Sequence, residues 1–318
     1  MILIPRALAC GIVLVGLSSA TSGNEPPVTA LTFAPDGRSL IVGSSRGIEV
    51  RAWPNLSRSR TIPTRLRQVH DLAISPAGDV LIAVGGGPGE SGEVERFHWP
   101  EGASMGHLAP HDDQIHAVAW RGDGQAIVTA SVDGLALVHT FDGGDPIPLE
   151  GHSRGVLAAA FLGTTVVTAG LDQSVRVWDA GSGGLVRALN NHTGPVVGLA
   201  VRPHAPEGAP PLIATIGLDR TARLWQPTIG RLVRLARLDS PPLAVTWASR
   251  GTLLAVACAD GSVRLIDPET VTILRTLPAL QGWAHSLAAS PSGDALAVGG
   301  EGGAIVRLEN LEAAIREK

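Results

Sequence analysis

Short apolar runs separated by turn residues fill almost the whole chain. In Val28–Phe33 (VTALTF) and Ser174–Asp179 (SVRVWD) apolar and polar residues alternate, the period-two pattern of a strand with one buried face. Val80–Gly87 (VLIAVGGG), Ala126–Asp133 (AIVTASVD) and Leu253–Asp260 (LLAVACAD) open on continuous apolar runs, as strands covered on both faces do. Between the two kinds of run stand Pro35-Asp36-Gly37, Pro76-Ala77-Gly78 and Pro291-Ser292-Gly293, in which proline presets one turn torsion and glycine accepts a positive φ.

This unit recurs. The last large residues of the first runs are Phe33, Ile74, Trp120, Phe161, Val201, Trp247 and Ala289, with steps of 41, 46, 41, 40, 46 and 42 residues. Anchored on the third runs, Trp53, Trp99, His139, Trp178, Trp225, Ile266 and Leu308 step by 46, 40, 39, 47, 41 and 42. Two sets of anchors thus give seven units of one period. Four strands per unit of this length predict an all-β fold, a seven-bladed β-propeller of four-stranded antiparallel blades. The long insertions, Gly85–Gly92 (GGGPGESG) and Pro203–Pro211 (PHAPEGAPP), fall between strands.

Composition narrows the picture. With 44% hydrophobic and only 17% charged residues, the chain can bury a core and is not predominantly disordered. A net charge of −4, no Tyr, 7 Trp and 4 Phe give no basic stacking surface, so nucleic acid is not an expected partner. Residues 1–20 read differently. Arg6 is their only charge, Ala7–Leu17 is apolar, and Ser18-Ser19-Ala20 offers small residues before a cut. That layout predicts a secretory signal cleaved after Ala20, and so an exported, periplasmic or secreted protein spanning 21–318. The apolar run is shorter than the roughly 20 residues of a membrane-spanning helix, so no integral membrane segment is expected after cleavage. Cys10 precedes most of that run and is not a lipidation site. Cys258 then remains alone, and no disulfide, C-x-x-C zinc site or haem attachment follows from one thiol.

Units four and five carry polar residues at matching places. Gly151–Asp179 reads GHSRGVLAAAFLGTTVVTAGLDQSVRVWD, and unit five contains NHTGPVVGLAV and LIATIGLDRTARLWQ. Over residues 24–310 the chain resembles the WD-repeat family, whose repeat opens near Gly-His and closes near Trp-Asp. The resemblance implies a hydrogen-bonded chain of His, Ser/Thr, Asp and Trp in each complete blade. Here that chain would be His152, Thr168, Asp172, Trp178 and His192, Thr215, Asp219, Trp225. Unit three has His111, Thr129 and Asp133, with His139 in place of Trp. Buried indole, imidazole and carboxylate groups are tolerable only in a closed donor–acceptor network, so these residues read as framework and not as catalysts. Units one, two, six and seven lack most of the set and are expected to rely on apolar packing.

Other clusters are weaker. His107, His111, Asp112, Asp113 and His116 suggest a metal site, but His111 falls on the framework position and a strand divides the rest. The Gly85–Gly92 loop leads into a strand, not into the helix of a phosphate loop. Arg46, Arg51, Arg58, Arg60, Arg65 and Arg67 read as a solvated face, with an anionic partner as the alternative. No G-x-S-x-G elbow occurs, and no catalytic set, cofactor or metal is assigned. The favoured function is therefore an exported scaffold for a protein partner, as the resemblance implies. The alternatives are a propeller enzyme of lactonase or quinone-dependent dehydrogenase type, and an accessory module of an envelope redox or membrane complex.

The binding face is expected four residues before each first-strand anchor, where Thr29, His70, His116, Leu157, Val197, Leu243 and His285 stand. In the WD-repeat family this position resembles the ring around the channel that most often meets partners. Gln68, Gln114 and Trp283, two residues earlier, extend it. The binding set is thus His70, His116, Leu157, Leu243, Trp283 and His285, with its histidines expected to gain charge near pH 6. Leu311–Lys318 is expected to lie over the last blade. No motif names the partner or sets the oligomeric state.

Overall fold

The alternating runs form first and third strands of the sheets, as Val28–Phe33 and Ser174–Asp179 do, and the continuously apolar runs form the second. The computed structural model describes residues 25–203 and 210–311. Blade one holds β1 (Ala30–Phe33), β2 (Ser39–Ser44), β3 (Gly47–Ala52) and β4 (Arg58–Ile62). Blade two holds β5 (Val69–Ile74), β6 (Val80–Gly86), β7 (Gly92–His98) and β8 (Ser104–His111). Blade three holds β9 (Ile115–Trp120), β10 (Ala126–Ser131), β11 (Ala136–Thr140) and β12 (Ile147–Leu149). Blade four holds β13 (Val156–Leu162), β14 (Thr165–Gly170), β15 (Val175–Asp179) and β16 (Leu185–Leu189). Blade five holds β17 (Val196–Val201), β18 (Ile213–Gly217), β19 (Thr221–Gln226) and β20 (Arg231–Arg237). Blade six holds β21 (Pro242–Ala248), β22 (Leu253–Cys258), β23 (Ser262–Ile266) and β24 (Ile273–Pro278). Blade seven shows β25 (Ala284–Ala289), β26 (Ala295–Gly300) and β27 (Ile305–Glu309) among the described residues. Every sheet is antiparallel with neighbours in chain order, and β25 packs beside β1 to close the ring.

The core is divided among the junctions between blades. Seven apolar clusters each fill one gap between adjacent blades, Ile41, Leu81 and Phe97 between blades one and two, for example. A sheet can bury both faces only by packing against a neighbour on each side, which explains the continuously apolar second strands. The ring is sealed where Val28 N–H donates to Gly300 O (2.9 Å) and Ser286 Oγ donates to Val28 O (3.0 Å).

Register corrects one set of anchors. Phe33 faces Leu40, which faces Arg51, and Ile74 faces Leu81, which faces Phe97. The same path in blade four runs Phe161, Val166, Trp178. Trp53 and Trp99 therefore stand two residues beyond the Trp178 position, in the turn after the third strand. With Arg51 and Phe97 in their place the steps are 46, 42, 39, 47, 41 and 42 residues, and the period survives.

Residues 1–20, and with them the signal reading and Cys10, lie outside the described residues. Leu311, first residue of the expected C-terminal cover, is buried with Leu308, Val306 and Leu277, whereas 312–318 lie outside them. No described helix is long and apolar enough to cross a membrane.

Candidate interaction face

The first strands of neighbouring blades lie side by side, which brings their equivalent positions into a ring. Around it Thr29, Leu157, Val197 and Leu243 are half-buried. Thr29 Oγ1 donates across the junction to Val69 O. His70 and His116 stack with ring centroids 4.6 Å apart and planes 20° from parallel. Trp283 and His285 lie 5.7 Å apart, and the Trp283 side chain is 52% exposed. His70, His116, Leu157, Leu243 and His285 hold equivalent first-strand positions and Trp283 stands two residues before His285, with His70–His116 and Trp283–His285 as two aromatic pairs.

Two glycines let the rim lie close. A Cβ on Gly85 would stand 1.8 Å from Gln68 O, and one on Gly300 would stand 2.2 Å from Trp283 O. Gly300 is the last residue of β26 and Gly85 the last but one of β6, each against the backbone of a rim residue, so any larger residue there lifts the rim backbone. The Gly85–Gly92 loop joins β6 to β7 on this same face, where Gly89 N–H donates to Asp113 Oδ1 (3.0 Å).

Burial lowers the pKa of each rim histidine. Burial holds His116 down at about 4, helped by the neighbouring His70, and Asp113 offsets only part of this. Burial also lowers His70, whose Nε2 is buried without a hydrogen-bond partner, although Gln114 and Gly86 beside the ring oppose the shift. His285 is lowered by burial against the pull of Glu301. The expected gain of charge near pH 6 is therefore corrected for His116, and for His70 and His285 it is shifted toward lower pH. These imidazoles are covered by adjacent blades, which disfavours the cation.

Behind His70 sits Asp71, the one acid at a position held elsewhere by Ala30, Ala117, Ala158, Gly198, Ala244 and Ser286. Its carboxylate accepts from Leu72 N–H (2.8 Å) and from Val118 N–H of blade three (2.9 Å). Burial pushes it up to about 6 against those two bonds.

The framework chains form as the resemblance implied. Trp178 Nε1 donates to Thr168 Oγ1 (2.7 Å), the hydroxyl donates to His152 Nε2 (2.7 Å), and His152 Nδ1 donates to Asp172 Oδ2 (2.9 Å). Blade five repeats this through Trp225, Thr215, His192 and Asp219 at 2.8, 2.8 and 2.9 Å. In blade three, His139 Nε2 meets Thr129 Oγ1 at 3.2 Å in the place of the indole, and His111 meets Thr129 and Asp133 at 2.8 Å each. His139 donates as a neutral ring, since burial beside His111 lowers it to about 4. His111 is thereby engaged in the framework, and His107 lies 3.6 Å from Glu93, so the suspected ligand cluster is dispersed.

Blades two and six carry polar ties of their own, contrary to the expected reliance on apolar packing. In blade two the buried Glu95 accepts from Thr64 Oγ1 and from Arg65 N–H (3.1 Å). In blade six the fully buried Arg264 bridges Asp260 (2.6 Å), Asp239 and Ser262. These acids carry the guanidinium at the position where blades four and five have Arg176 and Arg223. The arginines of blade one are also largely neutralised. Arg46 pairs with Glu25, Arg51 and Arg58 with Glu49, and Arg67 with Glu90.

One concavity was not legible beforehand. A cavity of about 360 Å³ between blades two and three is walled by Trp120, Phe141, Met105 and Arg96, the last lying over the Phe141 ring. Its walls come from residues up to 66 positions apart, Ser75 and Phe141, which no local pattern joins.

Comparison with known proteins agrees with this geometry. The family model described as WD domain, G-beta repeat matches residues 102–140 and 146–179, and that of the anaphase-promoting complex subunit 4 WD40 domain matches 231–283. The chain is similar to mouse F-box-like/WD repeat-containing protein TBL1X, 29% identical over 29% of this chain and 18% of that one. Mouse Gem-associated protein 5 is 27% identical over 52% of this chain and 10% of its own. The Saccharomyces cerevisiae COMPASS component SWD3 is 29% identical over 30% of each. The chain therefore spans less than a third of the length of each of these relatives. Repeat matches, three framework chains and seven blades in a closed ring together make this chain a WD-repeat β-propeller, an architecture typical of protein-interaction scaffolds.

Proposed function

We propose that the protein is an exported scaffold that seats a protein partner on the channel-rim face, without catalysing a reaction itself. The observation that carries this reading is Trp283. A large aromatic side chain more than half exposed, beside His285 at the mouth of the ring, is the kind of anchor that dominates binding energy. The engagement of His111, His152, His192 and their Asp partners in framework chains supports a non-catalytic reading. Two of the relatives carry names that describe association, Gem-associated protein 5 and COMPASS component SWD3, which supports the scaffold reading.

The test begins with affinity capture of the mature chain from its native envelope fraction. Binding curves for the captured partner are then compared between Trp283→Ala, His285→Ala and Asp145→Ala, the last in the turn between β11 and β12 on the opposite face. Loss in the first two with full affinity in the third is expected; the reverse places the site on the other face. Affinity is expected to change less between pH 8 and pH 6 than solvent-exposed histidines would make it, because burial disfavours the charged form of the rim imidazoles. Export rests on residues 1–20 alone, and an intact mass starting at Thr21 is its expected signature.

A further inference from the structure

We propose that the outer edge of blade five takes up an extended acidic segment of a protein partner, which adds to β20 as a fifth strand. β20 runs for seven residues without Gly or Pro, with one register shift against β19 at Val233 of the kind that β4, β8, β16 and β24 also carry. The other outer strands interrupt or shorten their edges. β8 contains Gly106 at φ 123° and Pro110, β12 has three residues centred on Pro148, and β24 ends in Pro278. β4 and β16 have five residues each. The inner edge of β20 pairs with β19 from Arg231 to Arg237, and no described strand covers its outer edge.

Charge selects the occupant. Arg231, Arg234 and Arg237 are all exposed along this one strand. Arg231 and Arg237 have no carboxylate partner among the described residues, and Arg234 lies near Asp267, whose charge it favours. Arg220 is exposed beyond the far end, where its carbonyl holds Leu238 N–H (2.8 Å), and Arg187 of β16 reaches Thr228 O beside the near end. The chain as a whole is acidic at −4, and the blade-one arginines are paired, so this unneutralised strip stands against the overall sign. Like charges along an edge repel a second copy of the same edge. They match an acidic strand, to which arginine donates paired, charge-assisted bonds. Backbone bonding supplies the rest, as in strand addition generally, and exposed Leu235 offers an apolar position between the arginines.

The probe is a labelled peptide alternating Glu with Val and matched to β20 in length, titrated into the full chain by fluorescence anisotropy. The same peptide N-methylated at alternate residues and a Lys-for-Glu version serve as controls. Saturable binding of the Glu peptide is expected, weakening as salt screens the arginines. Both controls are expected to bind at least about tenfold more weakly, which is about 1.4 kcal/mol. Arg231→Glu with Arg237→Glu is expected to reverse the preference toward the Lys peptide, with the melting temperature confirming a folded variant. If that variant does not fold, hydrogen exchange on the unaltered protein decides, since strand addition slows β20 amides and charge attraction alone does not. Absence of Glu-peptide binding overturns the proposal. So does equal binding of the N-methylated peptide, which means a merely electrostatic surface. Concentration-dependent dimerisation blocked by Arg231→Glu also overturns it, because the occupant is then a second copy.

Discussion

Blades four and six close the same hairpin with different chemistry. In blade four a neutral indole, hydroxyl and imidazole lead to one carboxylate, and the chain ends inside the blade. In blade six Val256 and Ile266 replace Thr and Trp, and a buried guanidinium is held from both sides by Asp260 and Asp239. The first solution buries one carboxylate, Asp172 at 5% side-chain exposure, and surrounds it with His152, Ser174 and Arg176 inside the same blade. The second buries a full cation whose tolerance depends on acids that are themselves partly in water, Asp239 at 78% side-chain exposure and Asp260 at 44%. The blades should therefore fail in opposite ways, through lost packing in one and through an orphaned charge in the other.

The largest expected effect is in blade four. Trp178→Ala removes a fully buried indole and should cost about 3–5 kcal/mol in denaturant titration. In blade six Asp260→Ala leaves Arg264 buried with the exposed Asp239 as its one remaining carboxylate among the described residues, beside the Ser262 hydroxyl, and should cost about 3 kcal/mol. Arg264→Met leaves two acids that can face water, and should cost clearly less than Asp260→Ala. The reverse order would show that the guanidinium stabilises by packing and not by its partners. Trp53→Ala comes next, at about half the Trp178 loss, because this indole is half-buried against Phe33 in a T-shaped contact at 4.8 Å and its N–H has no hydrogen bond among the described residues. Equal losses at Trp53 and Trp178 would break the comparison.

The smallest effect appears only in acid and sharpens blade three. His139→Trp completes the chain seen in blades four and five. His139 has a folded pKa of about 4, below its unfolded value, so above about pH 6.5 both states are neutral and nothing differs. As pH falls toward 4 the unfolded chain takes a proton that the folded blade refuses, and stability drops by at most about 1.4 kcal/mol per pH unit. The Trp variant should show a shallower loss between pH 6.5 and 4, read from melting temperatures across that window.

Much of this was legible because it is local. A blade is a run of consecutive hairpins, so its period, its turns and the spacing of His152, Thr168, Asp172 and Trp178 are all written within one repeat. The misplacement of Trp53 and Trp99 arose where a tryptophan stands just past the strand and mimics the framework residue. The ties of blades two and six were missed because they use other side chains at equivalent places, Glu95 and Arg264. The low basicity of the rim histidines was illegible for a different reason. It depends on what lies across a blade junction, as when His116 covers His70 from 46 residues away.

The rim stacking has an entropic consequence. A side chain wedged between neighbours has already given up most of its rotamers, so covering His70 or His116 with a partner immobilises little that was mobile. Trp283, with two side-chain torsions and an open flank, is the rim aromatic with most freedom left to lose. Ordering a rotamer-rich interface side chain typically costs about 0.5–1.5 kcal/mol. Much of that ordering at the rim is therefore complete before any partner arrives, and the surface should bind more nearly as a rigid mould than as an adaptable one.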